Sequence, residues 1–522
     1  MRSALHALLV LLFTLVLVGQ APAQTRLEAS WPTNVGPLNP HLYTPNQMFA
    51  QAMVFEPLVR YQADGTIAPW LADSWEISED GRTYAFTLRD DVRFSNGEPF
   101  DADAVVVNFD AVLANHERHA WLGLTHQIED VQAIDARHVI LTLKDPYYPT
   151  LQDLALPRPF RFIAPSQLID GTSADGIRAP IGTGAWQLEQ SRLGEFDLFS
   201  KNPIYWGEAP GFDEINVKVI VDPNTRAIAL QTGEIDLVYG AKGLISPDTF
   251  ARLADDERFE TALSEPMETL MLAINSQRGA TRELAVRQAI NHAVNKAQMV
   301  ESVFYGTQHP AETLFAPSVP YADVGLEPYA FDPTRAEALL TESGWELENG
   351  LRMRDGEPLR VDLVFVGNDA VSKSLAEIVQ ADLAAVGIQA RMIGEEESSV
   401  YARQRDGRFG MIFNRTWGAP FDPHAFISSM RAPAHADYQA QLGLEDKPEI
   451  DALIDDILVT TDERERQALY KRLLTRLHES AVYLPLTYTT VLAVADPAIG
   501  PINFSAMTSE IPFERFTPEA AR

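Results

Sequence analysis

The sequence predicts an α/β chain of two lobes, with mixed sheets and a ligand cleft between the lobes. Three observations carry this. Val361 to Ile393 reads as strand, helix, strand, and parallel strands need such a crossover. The first half instead alternates apolar and polar residues and turns back through tight Gly-containing turns, the pattern of antiparallel hairpins. The character changes after Pro266, where an apolar strand leads into a helix-rich half and a last apolar run, Tyr483 to Val494, follows. A chain that leaves one lobe and returns to it crosses twice, and paired crossings make a hinge beside a cleft.

The elements follow in order. Trp75 and Ile77 alternate with polar neighbours, Asp80-Gly81 turns the chain, and Tyr84, Phe86 and Leu88 return it. Asp101 and Asp103 open a helix, where carboxylates favour the positive end of the peptide dipoles. Val105, Phe109, Val112 and Leu113 form its apolar face. Val131, Val139, Leu141 and Leu143 build a second antiparallel pair. Ile215, Val217, Val219 and Val221 predict a strand, Thr225 to Thr232 a short helix, and Ile235 to Val238 another strand. Asp332-Pro333 starts a helix in cap-then-proline order, and Gly344 stops it. Leu375, Ile378, Val379, Leu383 and Val386 repeat at helical spacing before Gly387. Residues 24–266 are therefore expected to form lobe I, with an inserted subdomain over roughly 49–180. Residues 267–486 are expected to form lobe II, and 487–522 to return to lobe I.

The ends and the composition set the compartment. Arg2, the apolar stretch Ala7 to Val18 and Ala21-Pro22-Ala23 read as a signal peptide over residues 1–23. The apolar stretch is too short to span a bilayer. The 522 residues contain no cysteine, so no lipid-modified cysteine follows Ala23, and a free periplasmic protein is expected. With 73 acidic residues against 42 Lys and Arg, the net charge is −31. Such a surface repels nucleic acid and anionic lipid.

No catalytic constellation stands out. There is no Gly-x-Ser-x-Gly and no His-Glu-x-x-His. His116 and His119 sit three apart on the helix that opens near Asp101, with His116 continuing its apolar face, and a packed or solvated pair explains them better than a metal site. A closed all-protein metal site needs several ligands at matched spacing, and none is present. A bound metal would take most of its ligands from small molecules.

Several ordered motifs together carry a resemblance. They are Val54-Phe55-Glu56-Pro57-Leu58, Pro69-Trp70-Leu71-Ala72, Gly97-Glu98-Pro99-Phe100, Gly182-Thr183-Gly184, Gly233-Glu234-Ile235-Asp236 and Val286-Arg287-Gln288-Ala289-Ile290. In these the chain resembles family 5 of the extracellular solute-binding proteins, which serve peptide and nickel ABC transporters. The segments Gly36 to Met48, Ala155 to Phe162, Glu395 to Ser399 and Tyr401 to Phe409 are most similar to its nickel-binding members. The resemblance implies the two-lobed periplasmic-binding-protein fold of class II, peptide and nickel type. It implies capture of a Ni(2+) chelate as transported ligand, with free histidine a candidate chelator, and no catalytic cofactor. A cognate ABC permease is the implied partner, a chemoreceptor reading the closed form is a further candidate, and a monomer is expected.

The resemblance also selects residues. His435 would offer one imidazole to the metal. Arg118 and Arg158 would hold the carboxylates of the chelator. Two guanidinium groups repel a bare cation but bond carboxylates in a planar fork, so the pair suits an anionic or zwitterionic chelate. Met48, Trp121, Tyr401, Trp417, Phe421 and Ser509 would wall the slot. Phe421 and Ser509 stand where the nickel-binding members are expected to carry Tyr and Thr, and Asn414 stands where a His is expected. Dipeptide binders of the family are expected to place an acid shortly before the Asp-Pro that corresponds to Asp422-Pro423. Trp417-Gly418-Ala419-Pro420-Phe421 has none, which would leave a buried ammonium unpaired. A short-peptide or other small-solute binder is the alternative within the family, and a periplasmic hydrolase the alternative outside it.

Overall fold

The computed structural model describes residues 25–43, 47–62, 65–119, 121–240, 244–266, 268–417 and 423–518. The expected signal peptide, Met267 at the expected lobe boundary, and Phe421 lie outside them. Among the described residues no helix is long and apolar enough to cross a membrane.

A seven-stranded mixed sheet organises the first half. Arg26–Trp31 pairs in parallel with Glu214–Val219 and, at one position, with Leu237–Gly240. The hairpin Trp186–Arg192 and Phe196–Lys201 extends one side. The strand expected to run through Val221 stops at Val219, and Val221 is 73% exposed. Asp222 ends it locally, because its carboxylate caps the next helix, Pro223–Gln231, by accepting from the Thr225 N–H at 2.7 Å.

The second sheet has six strands, and its parallel part is the expected strand–helix–strand unit. Arg360–Val366 pairs in parallel with Gln389–Glu395, and the helix Ala370–Ala385 connects them. Gly387 has φ +86°, a left-handed conformation open to glycine, and Ile388 N–H then bonds back to Leu383 O at 2.9 Å.

The run Tyr483 to Val494 is not one strand. Tyr483–Thr489 pairs with Glu268–Ile274 in the second sheet, whereas Leu492–Ala495 pairs with Leu237–Gly240 and Glu260–Leu263 in the first. The run continues through the break because both pieces and the two residues between them are buried. What divides them is the identity of their partners, which the run itself does not encode. The two crossings, Leu263 to Glu268 and Thr489 to Leu492, lie side by side. Val491 N–H donates to Ser264 Oγ at 2.8 Å, and Ser264 N–H donates to Val491 O at 3.0 Å.

A third sheet carries the hairpins read from the sequence. Ala72–Ile77, Thr83–Leu88, His138–Leu143 and Ile128–Ala133 are antiparallel in that spatial order. The helix Ala102–Leu113 has Asp101 as its cap, accepting from Ala104 N–H at 3.0 Å. The core beneath this sheet, with Phe86, Phe109 and Leu141, runs on into Phe426, Leu453 and Tyr470 of the second half. At that junction His424 and Asp153, both buried, meet at 2.9 Å.

Candidate functional site

A cavity of about 690 Å³ lies where the two sheets meet, a size suited to a small solute. The second crossing supplies part of its floor through Thr489, Thr490 and Val491. Trp31 and Tyr239 close it from the first sheet, and Trp417 and His435 from the second half.

The cationic end is built around Tyr43. Arg158 is half-buried, its Nη1 donates to Tyr43 O at 3.3 Å, and its guanidinium carbon stands 4.7 Å from the Tyr43 ring centroid. Burial lowers its pKa, and the Tyr43 hydroxyl opposes that effect. Arg118 is exposed and does not line the cavity, but its guanidinium carbon lies 6.0 Å from the same ring centroid. The Tyr43 hydroxyl accepts from Trp121 Nε1 at 2.7 Å and meets His119 Nδ1 at 2.6 Å.

Aromatic rings lead from this end to the imidazole. Tyr43 and Trp121 are edge-on at 5.9 Å, and Trp121 and Trp417 at 6.2 Å. Trp417 stacks on His435 at 6.0 Å with 27° between the planes. His435 is half-buried at the cap of the helix Ala436–Gln441, and burial lowers its pKa. That favours the neutral imidazole, the form that offers a lone pair to a metal. Next to it, Asp437 is buried and accepts from Asn414 Nδ2 at 3.0 Å on both oxygens. Asn414 is thus engaged with the Asp437 carboxylate.

Of the residues selected from the sequence, Met48, Trp121, Arg158, Trp417, His435 and Ser509 line this one cavity. Tyr401 does not. It is 57% exposed on the helix Glu397–Arg405, and its hydroxyl donates to Glu397 one turn back. Phe421 lies outside the described residues. The helix ends at Leu113, so His116 and His119 stand beyond it in a 3-10 turn, where His119 is fully buried and His116, expected to continue the apolar face, is exposed. Among the described residues no group of three acidic or histidine side chains could hold a metal.

Sequence reasoning missed three features. Tyr43 stands inside a segment already singled out, yet nothing in its spacing marks it. Glu268, the only carboxylate among the described lining residues, is the first residue of its strand and looks like an ordinary strand end. Arg161 is buried and donates to Leu156 O at 2.9 Å, Phe55 O at 3.0 Å and Glu510 Oε1 at 3.0 Å. It joins the wall segment at Leu156 to the wall segment around Ser509.

Comparison with known proteins fixes the kinship of this fold and cavity. Residues 66–438 match the bacterial extracellular solute-binding proteins, family 5, middle region. The chain belongs to this family. The nickel-binding periplasmic protein of Escherichia coli (strain K12) is 58% identical over 520 residues, 99% of each chain. The dipeptide-binding protein of the same organism is 27% identical over 515 residues, 94% of each. Among solved family 5 structures, NikA from Brucella suis in complex with Fe(III)-EDTA superposes with a TM-score of 0.93 at 63% identity, covering 95% of this chain and all of that one. The two-lobed α/β architecture expected from the sequence is therefore the family's.

Proposed function

We propose that this chain is the periplasmic substrate-binding component of a nickel ABC importer, capturing Ni(II) wrapped in a small carboxylate-bearing chelator. One observation carries the reading: Arg158 and His435 face a single cavity from opposite halves of the chain. A bare divalent ion has no reason to settle beside a guanidinium. A chelate with carboxylates outward satisfies both ends at once. Arg158, with Arg118 beside the same Tyr43 ring, takes the carboxylates, and His435 completes the metal's coordination. Met48, Trp121, Trp417 and Ser509 shape the slot, while Tyr401 and Phe421 are kept as wall residues on resemblance alone. Divalent affinities rank copper above nickel, so chelate shape sets selectivity. The relatives' names, a nickel-binding periplasmic protein and a NikA holding Fe(III)-EDTA, support a chelated cargo.

The chain works as a carrier and not as an enzyme. That reading rests on the family, whose members bind extracellular solutes. It is exported through the 1–23 signal, acts as a monomer, and closes its lobes over the chelate before docking to the permease. A chemoreceptor reading that closed form is a further partner of the same surface. The crossings at Leu263 to Glu268 and Thr489 to Leu492 support lobe I over 24–266, lobe II over 267–486 and a return over 487–522, with the second crossing falling three residues beyond the 486 bound. The third sheet supports a subdomain within 49–180.

A short-peptide binder is the second reading, and Glu268 favours it by offering a carboxylate to an ammonium. Native mass spectrometry of protein purified from the periplasm separates the two. Capture of a chelate predicts a retained mass containing nickel with its isotope pattern. A nickel-free peptide mass would replace the first reading with the second.

A further inference from the structure

His119 is fully buried, yet it touches the cavity's cationic end through one atom. Its Nδ1 lies 2.6 Å from the Tyr43 hydroxyl, and its Nε2 is buried without a hydrogen-bond partner among the described residues. Trp121 Nε1 stands on the other side of that hydroxyl at 2.7 Å. An indole nitrogen only donates, so the phenol oxygen accepts from Trp121. Burial, with the Arg118 charge nearby, lowers His119 to about 4. At neutral pH the ring therefore carries one proton, on either nitrogen.

The orphaned nitrogen decides which. A proton on Nε2 would bury an N–H with nothing to receive it. A proton on Nδ1 leaves only an unused lone pair there, and buried orphan donors are the rarer of the two in folded proteins. The Nδ1 proton then points at the Tyr43 oxygen. With both lone pairs of that oxygen engaged, the phenol's own proton is the one group it has left to offer.

We propose that His119 is a positioning residue that makes Tyr43 an obligate hydrogen-bond donor toward the cavity, so that this point of the site takes a carboxylate oxygen of the ligand. An amine, or a water on the metal, would meet donor against donor. The phenol thereby joins Arg158 and Arg118, whose guanidinium carbons lie 4.7 and 6.0 Å from its ring centroid, as a neutral third contact for the chelator's acid groups. This deepens the chelate-capture reading and rests on it.

The test is a double-mutant cycle read by calorimetry on the full chain, with Ni²⁺ and excess L-histidine as probe. Tyr43→Phe is expected to weaken binding by about tenfold, the loss of one hydrogen bond to a charged group, and His119→Phe by about the same. If His119 acts through the phenol, the double variant binds no more weakly than Tyr43→Phe alone. Additive losses would show that His119 merely fills space, and would overturn the proposal. His119→Gln keeps an amide N–H and is expected to hold affinity within about threefold of the parent. A larger loss for this variant with an unchanged melting temperature would also overturn it. Failure of the parent itself to bind the probe would overturn the capture reading, and the proposal with it. Parent binding with additive losses would remove the proposal alone.

Discussion

Arg161 donates to Glu510 at 3.0 Å, with side chains only 5% and 12% exposed. The same guanidinium donates to the carbonyls of Leu156 and Phe55. Leu156 precedes Pro157 and Arg158 in one wall of the cavity, and Glu510 sits between Ser509 and Ile511 in another. One ion pair thus holds the segment that carries Arg158, the proposed clamp, in register with the loop facing it.

Removing one partner leaves a buried charge uncompensated. Glu510→Ala is expected to destabilise the chain by about 3–5 kcal/mol. Glu510→Gln, which keeps an acceptor for Arg161 and turns an amide N–H toward Ser505 Oγ, should lose clearly less. Urea unfolding of the two variants checks this.

The clamp and the imidazole should differ in weight. Arg158→Ala removes charge-assisted bonds to carboxylate and is expected to weaken chelate binding by about 2–3 kcal/mol, on the order of a hundredfold. His435→Ala removes one coordination bond from a metal that its chelator already partly satisfies, and should cost less. Calorimetric titration of both variants compares them. Equal affinity for Arg158→Ala and the parent would remove the clamp from the account.

The crossings make a third test. Ser264 Oγ receives the buried Val491 N–H, so Ser264→Ala leaves that amide unpaired and should cost about 1–3 kcal/mol. Hydrogen exchange at Val491 is expected to accelerate, while the strand centre at Leu272 stays protected.

Acid should loosen the fold through its buried histidines. Burial lowers His41 to about 4, and its ring bonds Ser173 Oγ at 2.8 Å and Arg161 O at 2.9 Å. Since the folded value lies below the unfolded one, near 6.5, unfolding takes up a proton between them, and stability falls as pH falls. Asp437, pushed up to about 6 by burial, works in the opposite sense between that value and its ordinary 3.8. His41→Gln is expected to reduce the stability lost between about pH 7 and pH 5 by about 2 kcal/mol, as read from urea unfolding at each pH.

Much of this fold was legible because its signals are local. The hairpin through Asp80-Gly81, the cap at Asp101 and the strand–helix–strand unit ending at Gly387 each depend on neighbours within a few residues. The break within Tyr483 to Val494 was not legible, because it is set by which sheet each piece joins. The site divides the same way. Arg158 and His435 were found through matched flanking segments, and they line one cavity. Tyr401 was selected by the same reasoning but faces solvent, since a matched segment does not fix which side of a helix faces the cleft. Tyr43, Glu268 and the Arg161–Glu510 pair depend on contacts between distant parts of the chain, and only the assembled fold brings them together.

The wrapped state of the cargo is the point on which the other inferences turn, and isothermal titration reaches it directly. Purified protein titrated with Ni²⁺ alone should give little heat, and the same titration with free L-histidine present should give a saturable signal near one complex per chain. Tight stoichiometric uptake of the naked ion, unaffected by histidine, would contradict the account.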